Sequence, residues 1–230
     1  MIIESNGLPG CGKTTLMNTY FQNKQESGID VHCIGVETFR GENKYPKFVI
    51  YLLRGLVAFF PHNIRVFFQC IIVVFQSWRK KHDLRQFRES CIASLYILYL
   101  FNEYRHADST CITICDEGYV QALSSLSFQA EVDPASLSRL FEILVAETPQ
   151  VHFLNCRLNE DIAYGRIVRR NRHDYSIDSL SGDELRNFLK MYRKILNTVR
   201  KFTTGHESID CDMTFDTERL IREIDRRVSY

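Results

Sequence analysis

The sequence predicts one three-layer α/β domain, residues 1–230, built on a five-stranded, mainly parallel sheet. Three observations lead there. Short apolar or β-branched runs alternate with longer helical stretches, the order that builds a parallel sheet covered on both faces. A glycine-rich turn, Gly7 to Thr14, joins the first such run to the first helical stretch. The length of 230 residues is enough for one full core, and neither an internal repeat nor a low-complexity linker divides it.

Taken in order, residues 1–5 read as strand one and 13–23 as the helix after the turn. Residues 30–36, rich in β-branched side chains, form strand two, and a polar loop follows over 37–45. Helices are expected over most of 46–106. The clearest support is Leu84, Phe87, Cys91, Leu95 and Leu98, whose spacings of three and four put them on one helical face. Strand three, 110–115, ends at Asp116-Glu117-Gly118. A helix should begin at Asp133-Pro134, where aspartate caps and proline fits the first turn. Strand four covers 150–156, and the helix starting near Asn159 ends in Arg166, Arg169, Arg170 and Arg172. Leu185, Phe188, Tyr192, Ile195, Val199 and Phe202 then form one long helical stripe. Residues 208–213 make strand five, and 218–228 the closing helix.

Composition excludes several classes. Lys and Arg number 29 against 28 Asp and Glu, so the balance gives no reason to expect nucleic acid or an anionic membrane as main partner. The 8 cysteines form no CxxC pair, and Cys111 and Cys115 fall in a strand, which argues against zinc. Reduced cysteines and a start, Met1-Ile2-Ile3-Glu4, without basic and apolar signal regions fit a cytoplasmic protein. The apolar stretch 48–78 is broken by Arg54, Pro61 and Arg65. Its longest uncharged part, 66–78, is shorter than the roughly 20 residues a spanning helix needs. Buried helices without a membrane span are therefore expected.

The turn Gly7-Leu8-Pro9-Gly10-Cys11-Gly12-Lys13-Thr14 meets the full P-loop pattern, with a strand before and a helix after. Gly7, Gly10 and Gly12 let successive N–H groups curl toward a phosphate, and the helix N-terminus adds positive potential. Lys13 would bridge the β- and γ-phosphates of ATP, Thr14 would ligate Mg2+, and Thr15 would touch the α-phosphate. Cys11 reads as a small space-filler, although the same N–H groups favour a thiolate. A glycine-rich turn that fits by accident is the bland alternative, and the flanking elements weigh against it.

Asp116 and Glu117 lie at the carboxyl end of an apolar strand, the edge where ligands sit in open α/β sheets. Either could hold the Mg2+ shell or take a proton from an attacking hydroxyl, with Asp116 assigned to the metal. The alternative for Asp116 is a plain cap on the helix starting near Tyr119. Arg166, Arg169 and Arg170 share a helical face, and guanidinium forks suit phosphate oxygens. A solvated basic helix end is the competing account. RNA binding there is disfavoured, because only Tyr175 offers a stacking ring.

In these features the chain resembles the thymidylate-kinase-like branch of P-loop small-molecule kinases, across nearly its whole length. The resemblance rests on the loop 7–15, the strand ending Asp116-Glu117, the helix and lid 163–172, and the terminal strand with its helix. It implies the P-loop NTPase three-layer fold, with a helical acceptor region at 46–106 and a mobile arginine-rich lid at 166–181. Adenine would lie between Arg166 or Arg170 and residues 213–215. Glu37, Arg40 and Glu103 would face the acceptor. Thymidylate kinases follow the strand-three aspartate with arginine, where this chain has Glu117. The stretch closest to their acceptor-helix aspartate–arginine pair is Asn102-Glu103. Both departures favour an uncharged or cationic hydroxyl-bearing acceptor, a nucleoside or sugar, over thymidine monophosphate.

The expected function is an ATP-dependent phosphotransferase acting on a small molecule, catalysed by Lys13, Asp116, Glu117, Arg166 and Arg170. A nucleotide-hydrolysing switch and an inert nucleotide-binding partner remain as alternatives; no Asn-Lys-x-Asp motif supports a GTPase. The expected partner is the phosphoryl acceptor, with no nucleic acid, and the sequence leaves room for a homodimer.

Overall fold

Strands β1 (Ile2–Gly7), β2 (Val31–Ile34), β3 (Ile112–Cys115), β4 (Val151–Arg157) and β5 (Ser208–Asp212) form one all-parallel sheet in the order β2-β3-β1-β4-β5. The structure, a computed structural model, describes residues 1–34, 64–130, 132–170, 176–180 and 182–228. β1 is central and all six of its residues are buried, the state of a parallel strand with helices on both faces. Its register pairs Glu4 with Cys115 on one side and Gly7 with Cys156 on the other. The glycine turn therefore leaves the carboxyl edge between β3 and β4.

Eight α-helices surround the sheet among the described residues: α1 (Lys13–Glu26), α2 (Ile64–Lys81), α3 (Leu84–Arg105), α4 (Tyr119–Ala130), α5 (Pro134–Glu147), α6 (Glu160–Arg170), α7 (Gly182–Arg200) and α8 (Thr217–Arg227). Helices α1 and α8 pack together on one face, tied by Lys24 to Asp225 at 2.7 Å. On the other face α4 lies against β1 and is flanked by α3, α5 and α7, while α2 packs outside on α3 and α5. No described helix is long and apolar enough to cross a membrane.

Helix α5 starts where expected, with Asp133 accepting from the Ser136 N–H and Pro134 in the first turn. The α3 stripe needs correction at its start. Leu84 is 73% exposed and Phe87 37%, while the buried residues run from Ser90 through Ala93, Ser94 and Ile97 to Phe101 and Tyr104 and include Leu98 of the expected stripe. Small side chains at 90, 93 and 94 let α2 approach, and the Ser90 and Ser77 hydroxyls meet at 3.3 Å. Close helix packing rewarded small residues over the larger apolar ones. Residues 35–63, which hold the acceptor candidates Glu37 and Arg40 and the first part of the expected helical region 46–106, lie outside the described residues, as do lid residues 171–175 and 181.

Candidate functional site

The turn between β1 and α1 has the backbone its sequence demands. Gly10 and Gly12 adopt φ of 77° and 100°, left-handed values that side chains disfavour. Gly10 also has no room for a Cβ, which would meet the Ala163 carbonyl at 2.9 Å and Ile167 Cγ1 at 2.7 Å on α6. Gly12 is the N-cap of α1; no side chain caps that terminus and no acid occupies its first turn. The N–H dipoles there keep their positive potential for an anion.

Lys13 is buried, and its ammonium donates to the carbonyls of Gly7 at 3.1 Å and Leu8 at 3.4 Å. Burial opposes its charge, but Cys11, Glu117, Tyr192 and Cys156 together outweigh that and hold its pKa above the ordinary value. Cys11 is fully buried, its Sγ packed where a Cβ on Gly7 would fall. Hydrogen bonding between the two thiols shifts Cys11 down and Cys156 up.

Thr14 and Asp116, 102 residues apart in sequence, meet directly: the Thr14 hydroxyl donates to Asp116 Oδ2 at 3.1 Å. A hydroxyl that gives its proton to a carboxylate keeps its lone pairs for a cation. Hydroxyl and carboxylate oxygens are the hard ligands magnesium takes. Among the described residues no three His, Cys, Asp or Glu side chains converge on a metal position, so such an ion would complete its shell with phosphate oxygens and water. Thr15 is exposed on the first turn of α1.

The acid pair is held from behind by residues that sequence reasoning missed. Ser5 Oγ donates to the Asp116 carbonyl at 3.3 Å, and Tyr96 Oη to the Glu117 carbonyl at 2.6 Å. The Val120 N–H, in the first turn of α4, donates not to Asp116 but to Glu4 Oε1 at 2.8 Å. Glu4 is fully buried and also accepts from Tyr104 Oη at 3.3 Å. A Cβ on Gly118 would overlap the Glu4 carboxylate, so the glycine after Asp116-Glu117 makes room for that cap. An acid and an asparagine inside a buried first strand, Ile2-Ile3-Glu4-Ser5-Asn6, were the available signal.

Gln121 links two elements. Its Oε1 accepts from the Gly7 N–H at 3.3 Å, and its Nε2 donates to Tyr192 Oη on α7 at 2.6 Å. Arg166 lies across the turn, donating to the Cys11 carbonyl at 2.8 Å and the Met213 carbonyl at 3.3 Å. It thus joins the glycine turn to the segment after β5, where Arg219 stacks 3.9 Å over the half-exposed Phe215 ring. Arg169 folds back toward Gly165 of its own helix, and Arg170 ends α6.

Glu103 is not brought to this edge. Tyr96 reaches Glu117, but Glu103 lies seven residues further along α3, about 10 Å at helical rise. Its neighbour Tyr104 accepts through its carbonyl from Gln150 just before β4, at the amino edge of the sheet. Glu103 therefore lies further along α3 than the contact with Glu117, toward the amino edge of the sheet. Of these two acids, Glu117 is the one at the carboxyl end of β3.

No protein-family model matches the chain, and a search of curated proteins returns no match.

Proposed function

We propose that this chain is an ATP-dependent phosphotransferase acting on a small hydroxyl-bearing molecule. The observation that carries the reading is the Thr14–Asp116 hydrogen bond beside Lys13 at an uncapped helix N-terminus. The turn is read as a P-loop within a P-loop-type three-layer fold. Its N–H groups and Lys13 bind the phosphates, and Lys13 leaves its two carbonyl partners to follow the transferring phosphoryl group. Thr14 and Asp116 are the residues that would hold Mg2+, which when bound neutralises phosphate charge. Asp116 is engaged with Thr14, which leaves Glu117 to orient or deprotonate the acceptor hydroxyl. Glu117 acts electrostatically on Lys13, which supports a role for its carboxylate near the phosphate end. A carboxylate there repels a second dianionic phosphate, which favours a nucleoside or sugar over a nucleoside monophosphate. Arg166 clamps the nucleotide between turn and the segment after β5, with Arg170 further along the same helix.

The test is ADP release measured with Mg2+ and ATP, alone and with nucleosides, sugars and nucleoside monophosphates, for the wild type and Lys13→Ala. The wild type should accelerate with one acceptor, and Lys13→Ala should lose on the order of 10²-fold in rate while remaining folded. A folded Lys13→Ala protein with wild-type turnover would refute the reading. Hydrolysis that no acceptor accelerates would favour a nucleotide-hydrolysing switch.

A further inference from the structure

On the face of the sheet away from α1, the carboxyl-terminal part of α7 stands off β4 and β5 and leaves a cavity of about 620 Å³. Its lining is strongly unbalanced in charge. Arg157, Arg193, Arg200 and Lys201 line it against one acid, Asp210. Two of these cations have carboxylate partners: Arg157 pairs with Asp210 at 2.7 Å, and Arg193 with Glu160 at 3.3 Å. The other two form no carboxylate ion pair among the described residues, although Asp210 also acts electrostatically on Arg200. Arg200 is partly buried, and its hydrogen bonds go to neutral oxygens: Nε to Asn6 Oδ1 at 2.7 Å, Nη2 to the carbonyls of Asn6 at 3.1 Å and Cys156 at 2.9 Å. Burial lowers its pKa, yet a guanidinium stays charged. The planar fork turns Nε and Nη2 to the sheet, and among the described residues Nη1 has no hydrogen-bond partner. Lys201 follows directly in sequence and also has no carboxylate partner among the described residues.

Cations in excess over the acids beside them favour an anion, and a fork with one arm spare suits a phosphate oxygen. The volume falls in the range of small-molecule sites, well above the need of a bare phosphate. The uncharged residues Leu196, Asn197 and Thr204 also line the wall, a surface for an organic portion. We propose that this cavity is a second ligand site, which binds a phosphorylated small molecule separately from the glycine turn. It stands apart from the kinase reading, because none of its cations belongs to the turn or to the acid pair. It nevertheless abuts the turn: Leu8 forms part of its wall, and the Leu8 carbonyl is one of the two that hold Lys13.

The experiment is calorimetric titration of the full chain with inorganic phosphate, ribose 5-phosphate and AMP, in the wild type, in Lys13→Ala and in an Arg193→Ala/Lys201→Ala variant. Arg200 is left unchanged because it also ties β1 to β4. Lys13→Ala should still bind at least one probe with a dissociation constant below about 1 mM. The double variant should weaken that probe at least about tenfold, the loss expected when two charge-assisted contacts go. It should keep its thermal midpoint and its ATP binding. The tightest probe then separates free phosphate, a sugar phosphate and a nucleotide as ligand. Should Lys13→Ala bind no probe, the proposal is overturned. It is equally overturned if a folded double variant binds the probes as the wild type does. In case Lys13→Ala fails to fold, wild type saturated with a non-hydrolysable ATP analogue serves instead, and absence of a second binding event there also overturns it.

Discussion

Replacing Glu4 with glutamine should remove a pH dependence of stability that the wild type carries. Glu4 sits in the central strand with no exposed surface, and burial pushes its carboxyl from the ordinary 4.5 up to about 7. The N–H groups of Val120 and Tyr119 and the Tyr104 hydroxyl pull the other way and lose. The titratable groups that face it are Tyr104, Tyr119 and Cys115, and burial drives all three upward so that they stay neutral near pH 7. Glu4 therefore titrates without a compensating partner. Below pH 4.5 the carboxyl is protonated in folded and unfolded chains, and its contribution to stability is complete. As pH rises toward 7 the unfolded chain releases its proton first, so stability falls through that window and levels off above it. At about 1.4 kcal/mol per pH unit, the gap between 4.5 and about 7 is worth on the order of 3 kcal/mol. Glutamine keeps an oxygen for the Val120 N–H and carries no charge at any pH. Urea unfolding at pH 5, 6, 7 and 8 should show the wild type losing roughly this amount relative to Glu4→Gln. Other titrating groups are common to both proteins and cancel in the difference. Parallel stability profiles for the two proteins would show that the buried carboxyl does not titrate as argued.

Three further outcomes follow from the same geometry. Gly118→Ala puts a methyl into the Glu4 carboxylate; the cap cannot swing away in a full core, so unfolding should lose about 1–3 kcal/mol, and an unchanged denaturation midpoint would contradict the packing. Thr14→Ala should raise the Mg2+ concentration needed for half-maximal ADP release, because Asp116 loses its hydroxyl partner and the ion one oxygen; an unaltered magnesium curve would remove Thr14 from the metal shell. Arg166→Ala should weaken ATP about tenfold through the lost charge-assisted contacts, while stability changes by less than about 1 kcal/mol for so exposed a residue. Titration with a fluorescent ATP analogue decides, and equal affinities would reduce Arg166 to a brace between the turn and the Met213 carbonyl.

Short-range rules are enough to read much of this protein from its sequence. The glycine spacing, the lysine and threonine opening α1, the Asp133-Pro134 start of α5 and the acid pair closing β3 each depend on residues within a turn of one another. Their geometry is dictated by backbone sterics and capping. Alternation of strands and helices likewise foretells a parallel sheet. The order of the strands, and with it the meeting of Thr14 with Asp116, depends on contacts across a hundred residues that no local pattern encodes. Tertiary packing alone decided that Glu4 rather than Asp116 meets the Val120 N–H at the start of α4, that Tyr96 and Gln121 brace the site, and that α3 buries Ser90 and Ala93 while exposing Leu84. Glu103 shows the physical reason most plainly. A helix advances about 1.5 Å per residue, so where α3 crosses the sheet edge decides which of its side chains lies beside Glu117. That crossing is set by the close approach of α2 and by the hydrogen bond from Tyr104 to Glu4, which are properties of the packed core and not of the helix.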